Sequence, residues 1–271
     1  MILIVNKQMK KWQRSICMDT YMTRVISNEK IADKIFRMEL QGDIVQEMTT
    51  PGQFVNIKVN NSYEFLLRRP ISICEINHEK KSFVIVYRAD GAGTKIISEL
   101  KEGEIVDILG PLGKGYDLEV LEEGQTALIV GGGIGVPPLY ELAKQFQKKG
   151  IQTIHILGFN NIKDVFYEDE FAQLGTTYIA TADGSYGEKG FVTDVIKKYA
   201  VDYHKYFSCG PFAMLKALTQ MDEEKMGYVS LEERMACGVG ACYACVCEKK
   251  DGTISRVCYD GPVYDTRELA L

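Results

Sequence analysis

No stretch of this chain approaches the roughly 20 consecutive apolar residues that a membrane-spanning helix needs. The opening MILIV is too short for the apolar segment of a secretory signal, and no cleavage-type sequence follows it. Positive charge is not in excess: 32 Lys and Arg stand against 37 Asp and Glu, a net charge of −5. General nucleic-acid binders carry basic faces, so that class is disfavoured. No internal repeat and no low-complexity linker is present. Histidine is scarce, and His78, His155 and His204 all lie ahead of the final section of the chain. The expectation is a cytoplasmic protein whose partners include neither nucleic acid nor a membrane.

What is present is ordinary in bulk and unusual in one place. The 271 residues are 46% hydrophobic and 25% charged, enough for about two ordinary domains with real cores and a small appendage. Five of eight cysteines crowd into ACGVGACYACVCEKKDGTISRVC. In a reducing compartment, clustered cysteines are more often metal ligands or redox groups than structural disulfides. Cys237, Cys242, Cys245 and Cys258 form C-x4-C-x2-C-x12-C, and the first three match the plant-type [2Fe–2S] spacing, which a distant fourth completes. Gly238 and Gly240 allow the tight turns, positive φ included, that such a wrapping loop requires. A zinc site is the competitor. Structural zinc usually takes two close-spaced cysteine pairs, and here the second half offers only Cys258, with no histidine nearby. Cys247 is the extra thiol. It reads as a small buried residue on the strand ACVCEKK, with ligation in place of Cys245 as the alternative.

The fold class expected is α+β and multidomain. Residues 1–19 form a leader whose Lys7, Lys10, Lys11, Trp12 and Arg14 show little periodicity, a frayed segment or else a short docking segment. Residues 20–118 hold short apolar stretches (TRVIS, KIFRMEL, QFVNIKV, SFVIVYR, EIVDILG) separated by Gly, Pro, Asn and charged breaks, which suggests an antiparallel β-barrel. Residues 119–227 alternate buried-type strands (TALIV, TIHILGF, TYIATA, HKYFSCG) with helical stretches, the pattern of a parallel-sheet α/β domain. Residues 228–271 hold the cysteines as a small C-terminal domain.

Three weaker signals lie in the first two sections. LLRRPISI carries an Arg-Pro-x-Ser string that can place a guanidinium on a phosphate and a hydroxyl near a ring nitrogen. GAGTK, about 20 residues on, opens a helix whose first amides favour a diphosphate. Tyr87 and Arg88 lie between the two and offer a cover for an isoalloxazine or adenine face. ALIVGGGIGVPPL runs a strand through four glycines into a helix, the place where a parallel α/β fold receives a dinucleotide. The full G-x-G-x-x-G/A string is absent, so a plain tight turn stays open. Cys209 in SCGP reads by default as an ordinary buried thiol.

In combination, RPIS, GAGT, GGGIGVPP and SCGP fall in the order of the ferredoxin reductase family. With RRPISI, GGGIGVPPL, ERMACGVGACYACV and VCYDGPVY, residues from about 20 to 271 resemble the family of class 1B dihydroorotate dehydrogenase electron-transfer subunits. The leader falls outside the resemblance, with Met18 or Met22 as an alternative start. The resemblance implies FAD at Arg69, Pro70, Ile71 and Ser72, at Val86, Tyr87 and Arg88, and at Gly93 and Thr94. It implies NAD at Gly132, Gly133 and Gly135, and a [2Fe–2S] cluster on Cys237, Cys242, Cys245 and Cys258. Ser72 would hydrogen-bond near the flavin N5 and Cys209 would help orient the nicotinamide. The implied partner is an FMN-containing dihydroorotate dehydrogenase catalytic subunit in a heterotetramer, with electrons passing from its FMN through [2Fe–2S] and FAD to NAD⁺ in pyrimidine biosynthesis. A subunit of a transhydrogenase or hydrogenase diaphorase is the rival. GFNN after the second strand shows no arginine for a 2′-phosphate, which favours NAD over NADP.

Overall fold

A computed structural model describes residues 20–60, 62–221 and 225–271. The reading of residues 1–19 as a leader falls outside the described residues. The first section is a closed antiparallel barrel of β1 (Thr20–Ala32), β2 (Ile35–Gln41), β3 (Phe54–Ile57), β4 (Arg69–Asn77), β5 (Ser82–Arg88) and β6 (Ile105–Leu112), in the order β1-β2-β5-β4-β3-β6. A short helix, α1 (Ala92–Ser98), follows β5. Alternation along the strands fills the barrel: Val55 and Ile57, Ile71 and Ile73, and Phe83, Ile85 and Tyr87 point into one core. β5 is buried on both faces because Val84 and Val86, on the other side, join a second core with the next domain.

That domain is a sheet in the order β10-β9-β8-β7-β11-β12-β15. Its strands are β7 (Thr126–Gly132), β8 (Gln152–Phe159), β9 (Thr176–Thr181), β10 (Glu188–Lys189), β11 (Lys205–Cys209), β12 (Gly227–Ser230) and β15 (Val263–Asp265). Those from β7 to β12 are parallel, while β15 pairs antiparallel with β12. Helices α2 (Tyr140–Lys148), α3 (Glu168–Ala172), α4 (Val192–Lys198) and α5 (Phe212–Met221) cover it. On α2, Leu142, Ala143 and Phe146 recur at helical spacing and are buried. The helical stretch expected from PPLYELAKQFQKKG is α-helical only from Tyr140; Pro137–Leu139 form a 3₁₀ turn ahead of it, and a further 3₁₀ turn covers Gly133–Gly135. None of the helices is long and apolar enough to cross a membrane among the described residues.

Two features join the sections. Glu141 of α2, 1% exposed, accepts the Ile76 N–H of the barrel at 3.0 Å, and Lys144 pairs with Glu75 of β4 at 2.8 Å. The C-terminal residues are not a detached body. β12 and β15 lie in the parallel-type sheet, and only the small hairpin of β13 (Val246–Glu248) and β14 (Ile254–Arg256) stands apart. One core unites all three sections, with Phe54 and Leu112 from the barrel, Leu128 and Val130 from the sheet, and Cys245, Val257 and Cys258 from the cysteine section.

Candidate redox and cofactor sites

The sheet order reverses at β7, from which the chain runs to β8 and β9 on one side and β11 and β12 on the other. Ligands of open α/β sheets bind at such a switch point, beyond the carboxyl ends of the strands. A cavity of about 630 Å³ lies there, walled by Gly132 and Gly133, Phe159, Asn160, Gly210, Pro211 and Met214. The glycines have distinct uses. Gly133 sits at φ +52° and a Cβ there would meet no atom within 4 Å, leaving backbone open to the cleft. Gly135 packs the turn onto β11, because a Cβ would lie 2.3 Å from the Cys209 carbonyl oxygen. Arg88 of the barrel reaches the same cavity, so the structure brings it together with Gly132 and Gly133.

The Arg-Pro-x-Ser strand and the GAGT turn also meet. A Cβ on Gly93 would lie 2.6 Å from Arg69 Nε, so the guanidinium rests on the first turn of α1. Arg69 also donates to the Leu67 carbonyl at 2.7 Å. Ile71 and Ile73 face the barrel interior, which leaves Ser72 on the outer face, paired in register with Phe54.

One sequence-based expectation changes, and the default reading of Cys209 as a buried thiol stands. The Tyr87 ring does not cover a cofactor face: it is 2% exposed, stacks against Phe36 in the barrel core and donates its hydroxyl to Asn28 at 2.9 Å. The strand period places it inside with Phe83 and Ile85. The Cys209 thiol is 2% exposed and lies behind the cleft wall that Gly210 and Pro211 form. Burial first, and then the Glu232 carboxylate, hold that thiol well above its ordinary range, partly offset by a hydrogen bond with Ser230.

Glu232 and Asp164 also line the cavity. Sequence reasoning did not single out either one, because an isolated acid in EERMAC or NNIKD carries no spacing signal. Glu232 opens to the cleft, yet the surrounding walls strip water from its carboxyl and raise its pKa.

The four spaced cysteines gather in two pairs. Cys237 hydrogen-bonds with Cys242, and Cys258 with Cys245. Among the described residues, no three His, Cys, Asp or Glu side chains are grouped to hold a single metal ion. Two thiol pairs suit a two-iron cluster, with one pair per iron, better than a mononuclear zinc ion. Backbone amides line the site: Val239 N–H donates to Cys237 Sγ at 3.4 Å, Gly240 N–H to Cys258 Sγ at 3.2 Å and Cys258 N–H to Cys245 Sγ at 3.4 Å. Burial raises Cys237, but the amides of Val239, Cys242 and Ala241 and the Cys242 thiol outweigh it and bring the group down to about 7. Burial and the adjacent Cys245 push Cys258 up to about 12, against the Gly240 N–H. Gly238 and Gly240 hold φ of +72° and +78°, the left-handed region that glycine adopts freely. Cys247 turns elsewhere and hydrogen-bonds with Tyr264.

Arg256 braces this loop. Its guanidinium forks onto Asp260 at 2.9 and 3.2 Å and donates to the Gly240 carbonyl at 3.0 Å. It also lies over the rings of Tyr243 and Tyr259, 5.3 and 4.6 Å from their centroids.

Comparison with known proteins agrees with this division. Residues 22–116 match an oxidoreductase FAD-binding domain, residues 129–220 an oxidoreductase NAD-binding domain, and residues 232–270 the iron–sulfur cluster binding domain of dihydroorotate dehydrogenase B. The chain is 54% identical over 251 residues to the dihydroorotate dehydrogenase B (NAD⁺) electron transfer subunit of Bacillus mycoides strain KBAB4, covering 91% of this chain and 97% of that one. It is 55% identical to the Bacillus cereus strain B4264 protein of the same description, with the same coverage. Among solved structures, an NADH-dependent reduced ferredoxin–NADP oxidoreductase superposes with a TM-score of 0.81 at 30% identity, over 91% of this chain and 88% of the other. A ferredoxin–NADP⁺ reductase from Plasmodium falciparum, at 12% identity and a TM-score of 0.63 over 76% of this chain and 91% of that one, shares the fold. With barrel, nucleotide cleft and paired thiols in this order, the chain belongs to the family of dihydroorotate dehydrogenase B (NAD⁺) electron transfer subunits.

Proposed function

We propose that this chain carries electrons between the FMN of a dihydroorotate dehydrogenase catalytic subunit and NAD⁺, in pyrimidine biosynthesis. The observation that carries the reading is the shared core. It joins Cys245 and Cys258 in one buried cluster with Phe54, the register partner of Ser72, and with Leu128 and Val130 of the nucleotide-cleft sheet. When bound, nicotinamide exchanges a hydride, a [2Fe–2S] cluster a single electron, and FAD both, so the flavin stands between the other two.

The residues divide the work. Cys237, Cys242, Cys245 and Cys258 hold the cluster, with amide N–H groups directed at their sulfurs. Arg69, resting on Gly93 beside Thr94, meets the FAD diphosphate. Ser72 presents its hydroxyl on the outer face of β4, and Val86, Tyr87 and Arg88 contribute backbone together with the Arg88 guanidinium. Gly132 and Gly133 admit the dinucleotide, and Gly135 closes the turn beneath it. Cys209 acts as a positioning residue behind Gly210. Asp164 in the cleft suits a ribose hydroxyl and repels a 2′-phosphate, which supports NAD over NADP.

The catalytic subunit docks at the cysteine loop, where Cys242 is exposed among Tyr243, Val246 and Tyr259. Assembly as a heterotetramer follows the family. A cytoplasmic setting suits the free thiols of the described cysteines.

Purified alone, the chain reduces an artificial acceptor with NADH, binds FAD and iron, and gives a reduced-cluster EPR signal. Dihydroorotate oxidation by the partner-free chain would overturn the division of labour. The rival, a transhydrogenase or diaphorase subunit, rests on the 30% identical oxidoreductase. Co-purification with a reductase other than the FMN-bearing dehydrogenase would favour it.

A further inference from the structure

Asn56 lies where the flavin strand meets the cysteine loop. It is 1% exposed, on β3, and pairs in register with Pro70 on one side and Leu109 on the other. Its neighbours Val55 and Ile57 point into the barrel, so Asn56 and Phe54 project from the outer face beside Pro70 and Ser72. Directly opposed residues bring their Cβ atoms to about 4.5–5.5 Å. From there the Asn56 carboxamide reaches the loop: a Cβ on Gly238, the residue after Cys237, would lie 2.5 Å from Asn56 Nδ2. Gly238 itself is buried at positive φ. The loop and β3, the strand paired with the flavin strand, are thus in contact through one amide group.

That amide is a poor choice for packing alone. The Asn56 Oδ1 atom is buried with no hydrogen-bond partner, a costly state that an apolar residue of the same size avoids. On the same face lie Phe54 and Leu109 of the shared core, together with the Arg68 guanidinium, which donates to the Asn56 backbone carbonyl at 3.4 Å and not to its carboxamide. A side chain with two N–H donors, aimed at the turn that follows a cluster ligand, has a use that leucine lacks. An N–H directed at cluster sulfur stabilises the more negative, reduced form and so raises the reduction potential.

We propose that Asn56 is a positioning residue for electron transfer between the cluster and the flavin. Its carboxamide holds the turn at Cys237 and Gly238 against the outer face of β3, beside the Arg-Pro-x-Ser strand, and directs an N–H to the cluster. No bond forms or breaks in this step; one electron crosses between two sites whose spacing the contact maintains. The proposal rests on Cys237 being a ligand and residues 69–72 being the flavin strand.

The test uses the full chain loaded with FAD and iron. Asn56→Leu removes the donors at similar volume, and Asn56→Asp keeps the shape but replaces donors with a negative charge. The cluster potential, followed by EPR, falls in the order wild type, Asn56→Leu, Asn56→Asp. After rapid mixing with NADH, cluster reduction slows at least tenfold relative to flavin reduction, which serves as the internal reference. Loss of iron with FAD retained also supports the brace. Wild-type potential and rate in both variants would overturn it, and so would equal loss of FAD and iron from both, which marks ordinary packing. Cys237→Ser is the control: full iron retention there would sink the ligand assignment and not the Asn56 proposal alone.

Discussion

The nucleotide cleft is walled by the ends of β7, β8, β9 and β11, whose flanks are buried and whose backbones pair on both sides. The cysteine loop is surrounded by strands of three residues each, β13, β14 and β15, and exposes Tyr243 at 60%, Ile254 at 66% and Tyr259 at 49%. In the first region, regular hydrogen bonding positions glycines so that backbone meets ligand. In the second, little regular structure is available, and the loop is shaped by positive-φ glycines, amide-to-sulfur bonds and the Arg256 brace. Iron bound by converging thiolates would add folding free energy to the second region directly.

The largest expected effect tests that contrast outright. Serine at Cys237, Cys242, Cys245 or Cys258 abolishes the reduced-cluster EPR signal while FAD content stays at wild-type level, whereas Cys247→Ser keeps both. Iron retention in Cys245→Ser together with loss in Cys247→Ser would reverse the assignment. Next in size is a lesion confined to the cleft. Gly135→Ala forces a Cβ against the Cys209 carbonyl and the Gly210 nitrogen, 2.3 and 2.5 Å away. Overpacking of this kind costs about 1–3 kcal/mol. Flavin reduction by NADH should fall at least tenfold with iron content unchanged, and unchanged NADH kinetics would mean the turn can relax.

A smaller effect separates charge from shape in the brace. Arg256→Lys retains a cation but loses the fork that holds Asp260 and Gly240 together. Iron loss to a chelator should accelerate several-fold, while NADH-to-flavin transfer stays constant. A last effect concerns the sheet alone and leaves the redox chemistry untouched. His155 is fully buried beside Phe171, and burial lowers its pKa to about 3. The unfolded chain takes up that proton below about pH 6.5. Between these values the unfolded state binds more protons, so stability falls as pH drops, by up to about 1.4 kcal/mol per pH unit. Thermal melts of wild type and His155→Gln should diverge in slope across that window and run parallel above pH 7.

Where chemistry follows from local order, the sequence was legible. Strand spacing, the glycine turn after TALIV and the cysteine intervals all report on near neighbours along the chain. The inward position of Tyr87 was not legible, since Val84 and Val86 are as apolar as Phe83 and Ile85 and alternation alone names no inner face. What depends on distant contacts was not. Asn56 gains meaning only from Gly238, and Glu232 only from the cleft it faces. The pairing of β12 with β15 joins two short segments more than 30 residues apart, too brief for any periodic signal.

That last pairing has a consequence for synthesis on the ribosome. β12 emerges with its outer edge bare, and the sheet stays open there until Val263, Tyr264 and Asp265 follow. Every cysteine of the loop lies between the two strands. The nascent chain therefore cannot complete its nucleotide-binding sheet without first exporting the whole iron-binding segment, and an exposed strand edge is a known route to mispairing with other chains. Closure of the nucleotide-binding sheet is thus ordered in time, after synthesis of the whole cysteine segment.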